Sequence, residues 1–245
     1  MGTHSKKIFL LASVIACFAF SLFEDQINPY YFQIIIYIGI NIILAISLNL
    51  INGYAGQFSL GHAGFMAVGA YTASVITTSL NVTSGSSIVF VILPIALISG
   101  GIVAALAGLL VGIPSLRLRG DYLAITTLGF GEIIRVVIQN LEFLGGARGF
   151  TGIPKISNFF WVFSSVAIIS YVISNLINST YGKGFLAVRD DEIAAQAMGI
   201  NTTKYKVIAF VTGAFLQASP EDYTRILFRI SILKDRKSTR LNSSH

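Results

Sequence analysis

The sequence predicts an all-α protein, a polytopic membrane helix bundle with about six complete spans and a partial seventh. Three observations predict it. Hydrophobic residues fill 54% of the 245 positions and charged residues only 11%, with a mean hydropathy of +0.74. An ordinary soluble domain carries roughly 25% charged residues, so lipid has to be the main solvent. The apolar residues gather into segments near the length of roughly 20 residues at which a helix crosses a bilayer. One of those segments also repeats small side chains every fourth position, which gives it a flat face for close helix packing.

In chain order the six segments are residues 8–23, 32–51, 64–80, 88–112, 122–138 and 159–177. Lys6 and Lys7 precede the first, as in a signal peptide, but "FEDQINPYY" follows it where a small-residue cleavage site would stand. It is therefore expected to be a retained span. The second and third flank "NLINGYAGQFSLGHAGFMAVGAYT". The fourth carries Gly100, Ala104, Gly108 and Gly112 on one stripe, read as helix packing, and Pro94 is expected to kink it. The fifth holds Glu132 and Arg135, three apart and so on one helical face. Ionisable groups at membrane depth are functional candidates by default. The favoured reading here is the plainer one, an intramembrane ion pair facing a neighbouring helix. The seventh segment, 207–218, has twelve residues and is too short to span.

Lys and Arg in the connecting loops set the orientation. With the N-terminus in the cytoplasm, the inner loops hold Lys6, Lys7, Arg117, Arg119, Lys183, Arg189, Lys204 and Lys206, and the outer loops only Arg148 and Lys155. The net charge of +6 gives no reason to expect a nucleic-acid partner, because residues 225–245 alone hold Arg225, Arg229, Lys234, Arg236, Lys237 and Arg240 against Asp235. Cys17 is the single cysteine, which excludes an internal disulfide.

Two stretches are candidates for function. In lipid, irregular backbone is tolerated only where protein or a watery cavity covers it. Gly53, Gly56, Gly61 and Gly64 weaken helix over 52–64, and Gln57, Ser59 and His62 make that stretch polar. It reads either as an interrupted span lining a translocation path, with Gly56, Gln57, Ser59, Gly61, His62 and Gly64 as candidates, or as a tight turn between two helices. His62 on its own is read as a packed imidazole, since no second metal ligand is spaced beside it. The other stretch, residues 182–206, is the most polar internal segment. Asp190, Asp191 and Glu192 suit the positive end of a short helix, and Gly199 can close it in a left-handed cap. Ile193 and Ala197 give that helix a small apolar face, either a knob for another protein or part of a solvated loop. No phosphate-binding loop, H-E-x-x-H, C-x-x-C or G-x-S-x-G occurs, so no catalytic residue, metal site or cofactor is expected.

"GYAGQFSLGHAGFMAVGAYT", "LRLRGDYLAITTLGFGEIIR" with "GGARGFTGIP", and "AVRDDEIAAQAMGINTTKYK" occur in that order. Together they resemble the permease subunits of bacterial ABC importers for branched-chain amino acids, most closely the LivM-type subunit. The resemblance covers about residues 8–215. It implies that the segment around 190–199, with Arg189, Asp190, Asp191, Glu192, Ala194, Ala195 and Gly199, docks on a cytoplasmic ATPase subunit. It also implies an H-type permease partner, two ATPase subunits that bind the ATP, a periplasmic amino-acid binding protein, and a place in the inner membrane. A urea, amide or sugar permease of the same fold, and an ion-coupled secondary transporter, stand as alternatives. A non-transporting scaffold is the weakest reading, since it gives the polar 52–64 stretch no purpose. After "FVTGAF" the chain departs from the family pattern, and "KSTRLNSSH" resembles translated adapter sequence. Residues 1–215 are therefore expected to be an incomplete permease domain containing the 182–206 coupling loop, and 216–245 a non-native basic tail.

Overall fold

The computed structural model describes residues 3–21, 28–80, 89–116, 118, 120–144 and 159–217. All regular structure among them is helical: α1 (Thr3–Ser21), α2 (Pro29–Asn49), a π-turn (Leu50–Tyr54), α3 (His62–Ser79), α4 (Val89–Ser115), α5 (Asp121–Asn140), a 3-10 turn (Glu142–Leu144), α6 (Phe159–Ile177), α7 (Thr180–Asp190), α8 (Glu192–Ala197) and α9 (Thr202–Gln217). The protein is an all-α membrane helix bundle. Tyr30–Tyr54, Phe90–Ser115 and Phe159–Ile177 are long and apolar enough to cross a membrane. The segments expected at 64–80 and 122–138 are helical too, but less apolar, because α3 is rich in Gly, Ser and Thr and α5 carries Glu132 and Arg135. The basic tail from 218 onward and "GGARGFTGIP" lie outside the described residues, as do Arg117, Arg119, Arg148 and Lys155.

Local signals explain where the helices begin. Asn28 caps α2, its side chain accepting from the Tyr30 amide at 3.0 Å, and proline at the first helical position needs no amide partner. Both Pro94 and Pro114 lie inside α4.

Lipid tails are as apolar as leucine, so helices associate here through close packing rather than through water exclusion. The small-residue stripe of α4 shows how. A Cβ at Gly100 would come within 2.8 Å of the Gly69 carbonyl on α3, beside the buried cluster of Ala70, Ala73 and Ala96. Two turns further on, the same stripe changes partner. A Cβ at Gly108 would stand 2.8 Å from the Ala214 methyl, and one at Gly112 would stand 3.1 Å from the Phe210 ring, both on α9. Phe210 in turn meets Phe65 edge-on at 5.4 Å between centroids. The opposite face of α4 exposes Ile95, Ile98, Ile102, Leu106, Leu110 and Ile113 at three- and four-residue intervals, as a lipid-facing stripe should.

α9 therefore sits in the core, between α4, α3 and α2. Its residue Gly213 abuts Ile51, with 2.5 Å from a Cβ placed there to the Ile51 Cδ1. A second wing forms where α6 packs on α1 and α2. There Gly39 lets α2 approach Val162, and Ile36, Ile40 and Val162 are buried together.

Candidate functional site

The glycine-rich stretch connects α2 to α3 through irregular backbone. α2 loosens into the π-turn, where the Ala55 amide donates to the Leu50 carbonyl at 3.1 Å and the Gln57 amide reaches back to the Ile51 carbonyl at 3.0 Å. Gly56 then takes φ +65°, a left-handed conformation that glycine adopts without strain. Residues 57–61 run irregularly until α3 begins at His62. Along them Gln57, Ser59 and Gly61 point inward while Phe58 and Leu60 are exposed. The Ser59 amide donates to Asn52 Oδ1 at 3.3 Å, and the Leu60 amide donates to Thr127 Oγ1 on α5 at 3.2 Å. Two buried polar atoms, Ser59 Oγ and His62 Nδ1, have no hydrogen-bond partner among the described residues.

Glycine also governs how this connection meets α5. A Cβ at Gly61 would collide with the Thr127 carbonyl, and one at Gly64 would lie 2.9 Å from the Gly131 Cα. The two backbones thus cross at near contact, with Gly131 completing the crossing at 3.4 Å from its own added Cβ to the Gly61 Cα. Thr127 was absent from the expected site. Its signal is the pairing of small residues at 61 and 64 with small residues at 127 and 131.

The 182–206 segment is helical rather than a loop. α7 runs through Gly182 and Gly184, which lower intrinsic helix propensity and concealed it. Packing overrides that propensity: Cβ atoms at those positions would strike the Ile177 carbonyl and the Tyr205 ring. The short helix α8 has the expected caps. Asp191 Oδ1 accepts from the amides of Ile193 at 2.8 Å and Ala194 at 3.0 Å. Gly199, at φ +83°, ends it, with the Ile200 amide on the Ala195 carbonyl at 3.0 Å and the Gly199 amide on the Gln196 carbonyl at 2.9 Å. Asp191→Ala is expected to destabilise this turn by about 1 kcal/mol. Faster amide exchange at Ile193 and Ala194, with α9 unchanged, would show it.

The side chains divide differently from expectation. Ala195, expected on the docking face, is 6% exposed and packs inward, so enlarging it would distort the segment itself. Glu192 also turns inward, to an ion pair with Lys206 at 2.7 Å, and it accepts from Thr202 Oγ1 at 3.4 Å. Lys206, expected in a solvated loop, is 4% exposed. The outward face consists of Ile193 (69% exposed), Ala194, Ala197 and Met198 (83% exposed). Ile193 and Ala197 were foreseen on it, and Met198 was not.

Arg189 brings the two candidate stretches together. Its Nε and Nη2 donate to Asp190 Oδ1 at 2.9 and 2.8 Å, and its Nη1 donates to the Gly53 carbonyl at 3.2 Å, 136 residues away in sequence.

Glu132 and Arg135 do pair on α5, with Arg135 Nε donating to both carboxylate oxygens at 3.0 Å. Among the described residues they do not face a neighbouring helix. The two side chains are 57% and 60% exposed on the outer face of α5, so the bundle of described residues leaves them uncovered. The constellation offers a short capped helix tied to α9 by the Glu192–Lys206 ion pair and, through Arg189, to the turn after α2 by a hydrogen bond.

A family model described as "Branched-chain amino acid transport system / permease component" matches residues 30–218. The chain is similar to the "High-affinity branched-chain amino acid transport system permease protein LivM" of Salmonella typhimurium, 35% identical over 87% of this chain and 56% of that protein. The protein of the same name in Escherichia coli K12 is 34% identical over the same shares. A "Probable branched-chain amino acid transport permease protein LivM" of Methanocaldococcus jannaschii is 28% identical over 76% of this chain and 64% of that protein. The chain thus spans about half the length of the curated relatives it matches most extensively. No solved structure matches it.

Proposed function

Since the chain belongs to the family of permease components of branched-chain amino acid transport systems, we propose that it is a membrane-spanning subunit of an ATP-driven importer of branched-chain or other hydrophobic amino acids. It is of the LivM type and lies in the inner membrane with its N-terminus in the cytoplasm. ATP is bound and hydrolysed by two separate cytoplasmic subunits. An H-type permease completes the membrane part, and a periplasmic binding protein delivers the solute. The names of the relatives support the substrate, and the positive-inside distribution of Lys and Arg supports the orientation.

One observation supports the ATPase-facing role of α8 above the others. Its outward residues Ile193, Ala194, Ala197 and Met198 form an apolar face that nothing else in the described chain covers, on a helix held firmly from behind by Glu192, Lys206 and both caps. Fixed behind and bare in front, it is suited to receive a force and pass it inward. The residues of the glycine-rich stretch, Gly56, Gln57, Ser59, Gly61, His62 and Gly64, begin where Gly56 meets Arg189 of α7 and are proposed to border the path that the force opens.

Replacing both Ile193 and Met198 by aspartate tests the role. Each charge would be buried at a docked interface, and burying an unpaired charge costs several kcal/mol. ATP-driven uptake into vesicles is expected to fall at least tenfold, and co-purification of the ATPase with the permease to be lost. Uptake and co-purification at wild-type levels would refute the docking role.

A further inference from the structure

The last turn of α2 and the π-turn that follows contain no basic residue, so the negative end of that helix has no local cation. Helix ends leave carbonyls without intrahelical partners, which need donors from elsewhere. Here the Gln57 amide goes to Ile51, past the Gly53 carbonyl, and Gly53 takes its hydrogen bond from the Arg189 guanidinium. The aliphatic stem of Arg189 is gripped as well. A Cβ at Gly56 would lie 2.7 Å from Arg189 Cγ and 3.1 Å from its Cβ, so no larger residue leaves room for that stem. Behind Arg189, the buried Phe185 clusters with Leu50 and Ala55, seating α7 on the same turn.

From this arrangement we infer that Arg189 is a positioning residue that clamps the end of α7 to the glycine-rich connection. It makes α8 and residues 53–61 move as one piece. The inference rests on the proposed ATPase-facing role of α8 and adds the route inward. Displacement of α8 passes through Asp191 to Arg189, from Arg189 to Gly53 and Gly56, and along the connection to the Gly61–Thr127 crossing with α5. Two features serve that route. Gly56 is left-handed where it meets the arginine stem, and the bond to Gly53 adds a polar link to the apolar contact of Phe185 with Leu50 and Ala55.

The full-length chain, assembled with its permease and ATPase partners in lipid vesicles, allows two independent readouts. Hydrogen–deuterium exchange reports the clamp itself. In Arg189→Met, which keeps the stem but removes the donors, amides of residues 53–60 are expected to exchange at least tenfold faster, with α8 unchanged. Arg189→Lys, which can still donate to the Gly53 carbonyl, is expected to restore much of the protection. Unaltered exchange in Arg189→Met would overturn the clamp. The second readout is the number of amino-acid molecules taken up per ATP hydrolysed. It is expected to drop at least tenfold in Arg189→Met and to recover in Arg189→Lys. Loosened amides with an unchanged ratio would overturn the transmission role. If the unsubstituted assembly shows no ATP-driven amino-acid uptake, the proposed function fails, and the exchange experiment still decides the clamp.

Discussion

Glu192→Ala is expected to destabilise the chain by about 3–5 kcal/mol, the usual consequence of stranding one partner of a buried ion pair. Lys206 is the stranded partner. Its side chain is almost fully enclosed, and the Glu192 carboxylate 2.7 Å away is the counter-charge the structure supplies. The reverse substitution should be milder. In Lys206→Met the apolar stem is preserved, while Glu192, whose side chain is 23% exposed, keeps access to water. The loss there should be nearer the 1.5–3 kcal/mol or so of a hydrogen bond to a charged group. Combining Glu192→Ala with Lys206→Met removes both charges, so the double variant should be more stable than Glu192→Ala alone. Denaturant titration of the detergent-solubilised full-length protein checks all three. An additive double-mutant cycle, with no coupling above about 0.5 kcal/mol, would show that the pair is not energetically linked.

Gly61→Ala and Gly64→Ala should each cost about 1–3 kcal/mol through overpacking, and both should lower the thermal midpoint of the protein. At Gly61 the obstacle is the Thr127 carbonyl, and at Gly64 it is the Gly131 Cα, so neither can be relieved by turning a side chain. The φ of Gly61 is −84°, which alanine tolerates, so the effect is purely steric. Gly129 is the control. It lies on the same helix as Thr127 and Gly131, but a Cβ there meets nothing within 4 Å. Gly129→Ala should therefore stabilise slightly, by up to about 1 kcal/mol of helix propensity. Equal responses at 61, 64 and 129 would mean that the α3–α5 crossing is not close-packed.

The apolar helices and the caps of α8 were legible in the sequence because their causes are local. Apolar runs, Asp191 before Glu192, and Gly199 after Met198 each act within one or two turns of chain. The long-range partners were not legible. Nothing near Arg189 names Gly53, and nothing near Lys206 shows that folding α9 against α8 will bury its ammonium group beside Glu192. α7 was not expected: Gly182 and Gly184 lower helix propensity, yet their lack of a side chain is what lets α7 seat against Ile177 and Tyr205. The direction of Ala195 was hidden for a related reason. In a six-residue helix too few positions exist to establish which face is inside, and only the fixed ends decide it. The outward aim of Glu132 and Arg135 depends on α5 lying at the edge of the bundle, a property of the whole arrangement.

The switch of partners along α4 carries an evolutionary corollary. At position 108 a hydrogen atom faces the methyl of Ala214, and the gap between the two helices holds one methyl and no more. That vacancy belongs jointly to two sites more than a hundred residues apart. Among distant cousins, an alanine at 108 should travel with a glycine at 214, the methyl group crossing from one wall to the other while the spacing between the walls stays fixed.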